Sequence, residues 1–155
     1  MNSISIFTEA HFYLHPNGGI YAKDASRGYQ FWTQYLCSFS TVNIVARVSE
    51  SVYFNEKNYC LVEGPNVKVF KVVNLVGQQY FSFRLTKLIQ NIYQGVKAGD
   101  NLLFRMPGNI SIVGYILNLI SKKRYGVELV GDPDIVFSKG VTNLKFAPFY
   151  RVLTT

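Results

Sequence analysis

Short runs of β-branched and aromatic residues alternate along this chain with stretches whose apolar residues recur at helical spacing. No other feature narrows the possible folds as much. Ser3–Thr8, Thr41–Val48, Val67–Val73, Leu102–Met106 and Tyr125–Val130 read as buried strands. Between them Tyr29, Trp32, Leu36 and Phe39, then Phe81, Leu85, Leu88 and Ile92, then Val113, Ile116, Leu117 and Ile120 each mark an apolar helical stripe. Trp32 is expected to be buried against the sheet. Gly95 is placed to close the second helix in the left-handed conformation, and Asn109 to cap the third. Strand then helix, repeated with short joins, predicts a parallel sheet covered on both faces with right-handed crossovers. The expected fold is therefore α/β, a Rossmann-like three-layer sandwich with a mostly parallel sheet of about five or six strands, ordered 3-2-1-4-5 when strands are counted along the chain. Ser49–Asn66 breaks the rhythm and reads as a surface excursion with a small extra hairpin near Tyr59–Val62.

With 155 residues, the chain has the length of a single domain, 1–155. Its 48% apolar and 16% charged composition is that of a folded soluble protein. No apolar run reaches the roughly 18 residues of a spanning helix, and MNSISIFTEAHF has neither a basic start nor a cleavage site, so a cytoplasmic location is expected. Cys37 and Cys60 lie far apart without metal-ligand or disulfide-framework spacing and read as reduced core thiols. A net charge of +7 attracts nucleic acid, anionic membrane surfaces or phosphorylated small molecules. The cations are scattered and no recognition motif accompanies them, so nucleic acid is not expected as a partner. The one tight cluster, Lys122-Lys123-Arg124, ends an apolar helix pattern, where each cation complements the helix dipole by roughly 0.3 to 1 kcal/mol. A phosphate-binding or membrane-surface patch is the alternative reading.

In open α/β sheets ligands bind beyond the carboxyl ends of the strands, which singles out three loops. After the first strand come Glu9, His11, His15 and the loop HPNGGIYAKDAS with Asn17, Gly18 and Gly19; after the fourth, Arg105-Met106-Pro107-Gly108; after the fifth, Gly131-Asp132-Pro133. Adjacent glycines let backbone amides approach a phosphate, although Asn17-Gly18 is equally an ordinary turn dipeptide. Neither G-x-G-x-x-G nor a Walker lysine motif is present. Arg105 at a strand end needs an anion, either a ligand or Asp132. Asp132 itself is either a turn-former or helix cap before Pro133, or an acceptor for a substrate hydroxyl. His11 and His15 have no partner at metal-ligand spacing and read as solvated loop histidines.

The segments HPNGGIYA, FWTQYLCSF, LLFRMPGNIS and YGVELVGDPD, in this order and spacing along nearly the whole chain, resemble the N-terminal half of a retaining GT-B glycosyltransferase. The similarity is to the group that builds bacterial capsular and surface polysaccharides. It implies two Rossmann-like domains facing a cleft, of which this chain would be the acceptor-side half. The nucleotide-sugar donor would be held mainly by a C-terminal domain lying outside this chain, and the acceptor would be a saccharide or lipid-linked sugar. Such an enzyme transfers the sugar with retention, usually without metal or other cofactor, and is cytoplasmic with room for peripheral membrane contact. Carried over, Gly18 and Gly19, with Asn17, approach the donor diphosphate, with Arg105 and Pro107 on the same rim. Many relatives place a sugar-contacting histidine at the end of the fifth strand, whereas this chain has Gly131-Asp132 there, which leaves Asp132 as the catalytic candidate. The chain alone is expected to be inactive.

Overall fold

A computed structural model describes residues 2–50, 59–73 and 84–130. Its elements are β1 (Ser3–Leu14), β2 (Ile20–Ala22), α1 (Tyr29–Thr33), β3 (Thr41–Glu50), β4 (Cys60–Leu61), β5 (Val67–Val73), α2 (Arg84–Ala98), β6 (Asn101–Met106), α3 (Asn109–Ser121) and β7 (Arg124–Leu129). Single 3₁₀ turns cover Ala25–Arg27 and Gln34–Cys37. The fold is α/β, with one mixed sheet of seven strands rather than the five or six expected. β1 lies parallel to β3 on one side and β6 on the other; β5 extends the sheet beyond β3, and β7 beyond β6, again in parallel.

The additional strands arise because β1 does not stop at Thr8. It continues to Leu14, turns, and pairs antiparallel with β2 through Tyr13–Tyr21 and Leu14–Ile20; β4 then pairs with β2. The turn is closed by His15 N donating to Gly19 O and Gly18 N to His15 O, both at 2.9 Å, and Gly18 sits at φ 87°, a conformation that favours glycine. The glycine pair thus joins two strands, and the first helix comes only later. The expected extra hairpin near Tyr59–Val62 is instead β4 on the β2 edge, while residues 51–58 lie outside the described residues.

Both sheet faces are covered. On one, Ile4, Ile6, Ala10, Phe12, Val42 and Ile44 pack under α1 around the fully buried Trp32. On the other, Phe7, Val45, Val72 and Phe104 pack under α2 and α3 with Ile92, Val96 and Ile110. Phe81 lies outside the described residues. Gly95 does not end α2, which runs to Ala98; a Cβ there would fall 2.3 Å from Val45 Cγ2, so the glycine lets the helix approach the sheet.

The stripe expected on α3 is half inverted. Val113 and Leu117 are partly buried, but Ile116 and Ile120 face outward, and the helix turns Ile110, Ser111, Gly114 and Asn118 to the sheet. The small residues win because Phe7 and Phe104 stand directly beneath, where a Cβ on Gly114 would meet them at 2.8 and 3.0 Å. Asn109 is the first helical residue rather than the cap, which is Gly108. In the basic cluster, Lys122 closes α3 at φ 52°, and Lys123 caps a different helix from the one expected. Its Nζ donates to Val96 O, Lys97 O and Gly99 O at 2.7 to 2.9 Å, satisfying the end of α2. Neither cysteine is a core residue: Cys37 is exposed and donates to Gln34 O within its 3₁₀ turn, and Cys60 is half-buried on the short β4.

Trp32→Ala should lower stability by roughly 3 to 5 kcal/mol, since it empties the centre of one core. Urea denaturation of parent and variant measures this; an unchanged midpoint would contradict the packing.

Candidate functional site

Between Phe7, which pairs with Val45, and His11, which pairs with Arg47, β1 spends two residues more than β3. An even insertion preserves the alternation of side chains, so Ile4 and Ile6 before the bulge and Ala10 and Phe12 after it enter the same core. The bulged residues Thr8, Glu9 and Ala10 form one wall of a cleft of about 460 Å³; Arg27 and Phe31 line a second, and Arg105 and Pro107 a third. The cleft lies at the carboxyl end of β6 and at the mid-strand bulge where β1 stops pairing with β6; these are adjacent parallel strands from which the chain leaves toward opposite edges of the sheet. That reversal point is where open α/β sheets hold their ligands.

Glu9 organises the wall. Its Oε2 is 2.7 Å from Arg47 on β3, and its Oε1 accepts from Ile110 N at 2.6 Å in the first turn of α3. A carboxylate from a strand thereby supplies the helix cap that Asn109 was expected to provide, and complements the positive end of the helix dipole. Ser111, one residue on, shares its hydroxyl between Phe7 O at 3.0 Å and Arg105 O at 2.8 Å, fastening α3 to the ends of β1 and β6.

Arg105 does meet an anion, but the anion is Glu128. The two are register partners on β6 and β7, and their contact is bidentate, Nε–Oε2 at 3.0 Å and Nη2–Oε1 at 3.1 Å. The guanidinium also lies 5.5 Å from the ring centre of Phe31 and 6.0 Å from that of Trp32. Burial, reinforced by Glu128, raises the pKa of the nearby Tyr35 hydroxyl. Arg27 differs. Among the described residues it forms no ion pair, while its backbone is fixed by Trp32 Nε1 donating to Arg27 O at 2.9 Å. Ser26 beside it donates its hydroxyl to Asp24 at 2.7 Å, and these hydrogen bonds hold the Asp24 carboxyl below its usual range.

Of the residues singled out from sequence, Arg105 and Pro107 line the cleft, and the Met106–Pro107 peptide is cis. Asn17, Gly18 and Gly19 are not among the lining residues. They sit at the tip of the β1–β2 hairpin, past the five residues from Ala10 to Leu14, roughly 16 Å of strand. There Asn17 Oδ1 accepts from Gly19 N at 2.9 Å. Asp132 lies outside the described residues. Glu9, which directly follows the strand read as Ser3–Thr8, lines the cleft as well, whereas Arg27 and Phe31 were not identified as cleft residues from sequence; Arg27 lay within reach, since it directly follows HPNGGIYAKDAS.

No protein-family model, curated protein or solved structure matches this chain. The cleft must therefore be interpreted from its own chemistry. Among the described residues no group of His, Cys, Asp and Glu could hold a metal ion. What the walls offer is a cation on a fixed backbone, an aromatic face and a bound carboxylate with unused lone pairs.

His11 lies on the extension of β1 rather than in a loop, its Nε2 2.7 Å from Ser49 Oγ and its ring stacked on Tyr13. His15 is in the hairpin turn, where its Nδ1 accepts from Asn17 N. Burial, and then the Arg47 cation, push the His11 pKa below the usual histidine value. A depressed histidine stays neutral when folded but binds a proton when unfolded, so its stabilising contribution is present above about pH 6.5 and is lost as the pH falls toward the folded value. Urea midpoints measured across this window should drop on the acid side, and His11→Gln should flatten the drop. Glu9→Ala should cost roughly 1 to 3 kcal/mol by leaving Ile110 N and Arg47 without their partner.

Proposed function

We propose that this chain is the N-terminal, acceptor-side domain of a retaining glycosyltransferase of the two-domain GT-B type, its five parallel strands forming a Rossmann-like layer ordered β5-β3-β1-β6-β7. The observation that carries the reading is Arg27. It lines the cleft at the reversal point of the sheet, its backbone carbonyl is held by the Trp32 indole, and its exposed side chain has no ion-pair partner among the described residues. A guanidinium there binds a phosphate through two parallel hydrogen bonds, and Phe31 offers an apolar face to the rest of the ligand. Glu9, fixed by Arg47 and α3, keeps lone pairs for a sugar hydroxyl.

In this reading a second domain holds the nucleotide sugar, and the cleft receives its diphosphate and the saccharide or lipid-linked acceptor. The bond from the anomeric carbon to the diphosphate oxygen breaks, the acceptor hydroxyl oxygen takes its place on the same face, and the hydroxyl proton passes to the departing diphosphate. Negative charge gathers on the leaving diphosphate, and Arg27, with amides and cations of the second domain, stabilises it without metal or other cofactor. The β1–β2 hairpin with Asn17, Gly18 and Gly19 reaches out from the domain toward that ligand, and Asp132 remains the candidate for contact with the transferred sugar. The enzyme works in the cytoplasm. A second reading, a nucleotide- or phosphate-binding module acting by itself, is favoured by the same cleft, because every residue named in its walls belongs to this chain.

Calorimetric titration with a panel of nucleoside diphosphates and sugar phosphates tests the site. Binding should be weak, and Arg27→Ala should weaken it about tenfold or more, the loss of one charge-assisted contact. The purified chain should release no nucleoside diphosphate from a nucleotide sugar. Equal binding by Arg27→Ala removes the site from the cleft, while tight nucleotide binding without turnover in the full-length gene product selects the binding module.

A further inference from the structure

Among the described residues no helix is long and apolar enough to cross a membrane, yet β7 leaves Tyr125, Val127 and Leu129 each more than half exposed. Among the same residues β7 pairs with β6 alone, and the row of backbone donors and acceptors along its other edge has no strand beside it. Proteins keep such an edge single with a proline, a bulge or exposed lysines. β7 has none of these: its six residues, RYGVEL, run in unbroken register with β6, and its two charges are of opposite sign. An edge of this kind is a template for one more strand.

Charge decides which strand fits. Arg124 and Glu128 share one face of β7 by alternation; Tyr125, Val127 and Leu129 share the other, where the Tyr125 ring packs on Phe104 and on Tyr115 of α3. If β7 pairs antiparallel with its own copy about a twofold axis through Gly126, Arg124 stands opposite Glu128 of the second copy, and Glu128 opposite the second copy's Arg124. On the other face Tyr125 meets Val127 twice. Centring the axis on Arg124 or Glu128 would oppose like charges, and centring it on Tyr125 or Val127 would leave both without a charge opposite them in the strand. Both groups are available. Arg124 is exposed and forms no ion pair among the described residues. Glu128 spends one contact per oxygen on Arg105, at 3.0 and 3.1 Å, and keeps lone pairs for a second guanidinium.

We propose that the chain forms a twofold homodimer in which β7 pairs antiparallel with β7 of a second copy, joining the two sheets into one. Reciprocal Arg124–Glu128 pairs lie on one face and Tyr125–Val127 pairs on the other, and opposite charges and aromatic with β-branched side chains are the favourable cross-strand combinations. The α3 helix rests on Phe7 of β1 and Phe104 of β6, inside the edge, and takes no part. The twofold axis stands perpendicular to the joined sheet and reverses the strand direction, so the two clefts, each at the carboxyl end of its own β6, open at opposite ends and neither obstructs the other. The dimer is therefore independent of which ligand the cleft takes.

Analytical ultracentrifugation of the full chain over a range of concentrations tests the proposal. The parent should sediment as a dimer that dissociates on dilution. Arg124→Glu and Glu128→Arg each set like charges opposite one another at both positions and should weaken association at least about tenfold. An equimolar mixture of these two variants restores opposite charges at both positions and should associate about as tightly as the parent. Val127→Asp, on the exposed apolar face and away from Arg105, should also weaken the dimer about tenfold or more, whereas Ile120→Asp on the outward side of α3 should leave it unchanged. Thermal melts of each variant establish that it folds; should Glu128→Arg not fold, because it also breaks the contact with Arg105, Arg124→Glu and Val127→Asp decide. A parent that is monomeric at every concentration overturns the proposal. So does a dimer indifferent to Arg124→Glu, a mixture of folded variants that fails to recover, or a dimer that Ile120→Asp abolishes, which would assign the contact to α3.

Discussion

The whole arrangement depends on β1 being the central strand. A strand with parallel neighbours on both sides has no solvated edge and no solvated face along its shared length, so its side chains must suit two different coverings at once. Ile4 and Ile6 fill the core under α1, while Ser3 and Ser5 on the other face are short enough to admit the loop between α2 and β6. Ser3 is also a linchpin of that loop, its N and Oγ donating to Asp100 at 3.0 and 2.8 Å. Those bonds, the backbone one foremost, hold the Asp100 carboxyl below its usual range. The same central position makes the bulge of β1, beside the carboxyl end of β6, a place where segments from both halves of the sheet come together.

Most charges near that place are already committed. Glu9 is held by Arg47 and the first turn of α3, and Arg105 by Glu128. These pairs are structural fasteners: one joins β1, β3 and α3, the other joins β6 and β7 under the aromatic rings of α1. Against that background an arginine on a fixed backbone, outside any ion pair among the described residues, has a different meaning from an arginine on an ordinary surface. Trp32 links the two roles, since the indole that fills one core also fixes the carbonyl of Arg27.

The strands were legible because a buried strand must be built from β-branched and aromatic residues, and such runs stand out against polar joins. The hairpin was not read from sequence, although Asn17-Gly18 followed by Ile20-Tyr21-Ala22 carries a signal for it; its partner strand passes through Glu9 and His11, which do not look like strand interior. The Arg105–Glu128 pair follows from arithmetic once β6 and β7 are aligned: Asn101 faces Arg124, so each residue faces the one 23 places on. What the sequence could not show is the facing of α3. A helix apolar nearly all round has no preferred side by hydropathy, and its orientation is settled by which of its residues are small enough to rest on Phe7 and Phe104. Nor could it show that Lys123 reaches past its own helix to the last carbonyls of another. Asp132 lies outside the described residues, so that expectation stands where sequence left it.

The even-numbered bulge in β1 has a consequence for how such a domain can diversify. Removing or adding one residue between Phe7 and His11 would turn Ala10 and Phe12 out of the core and bring their neighbours in, a change that the second half of the strand could not absorb. A change of two leaves both cores untouched and alters only the wall of the cleft. Length variation at this point is thus filtered by parity: odd steps are eliminated by folding, while even steps remain available as a source of new ligand preferences on an unchanged frame.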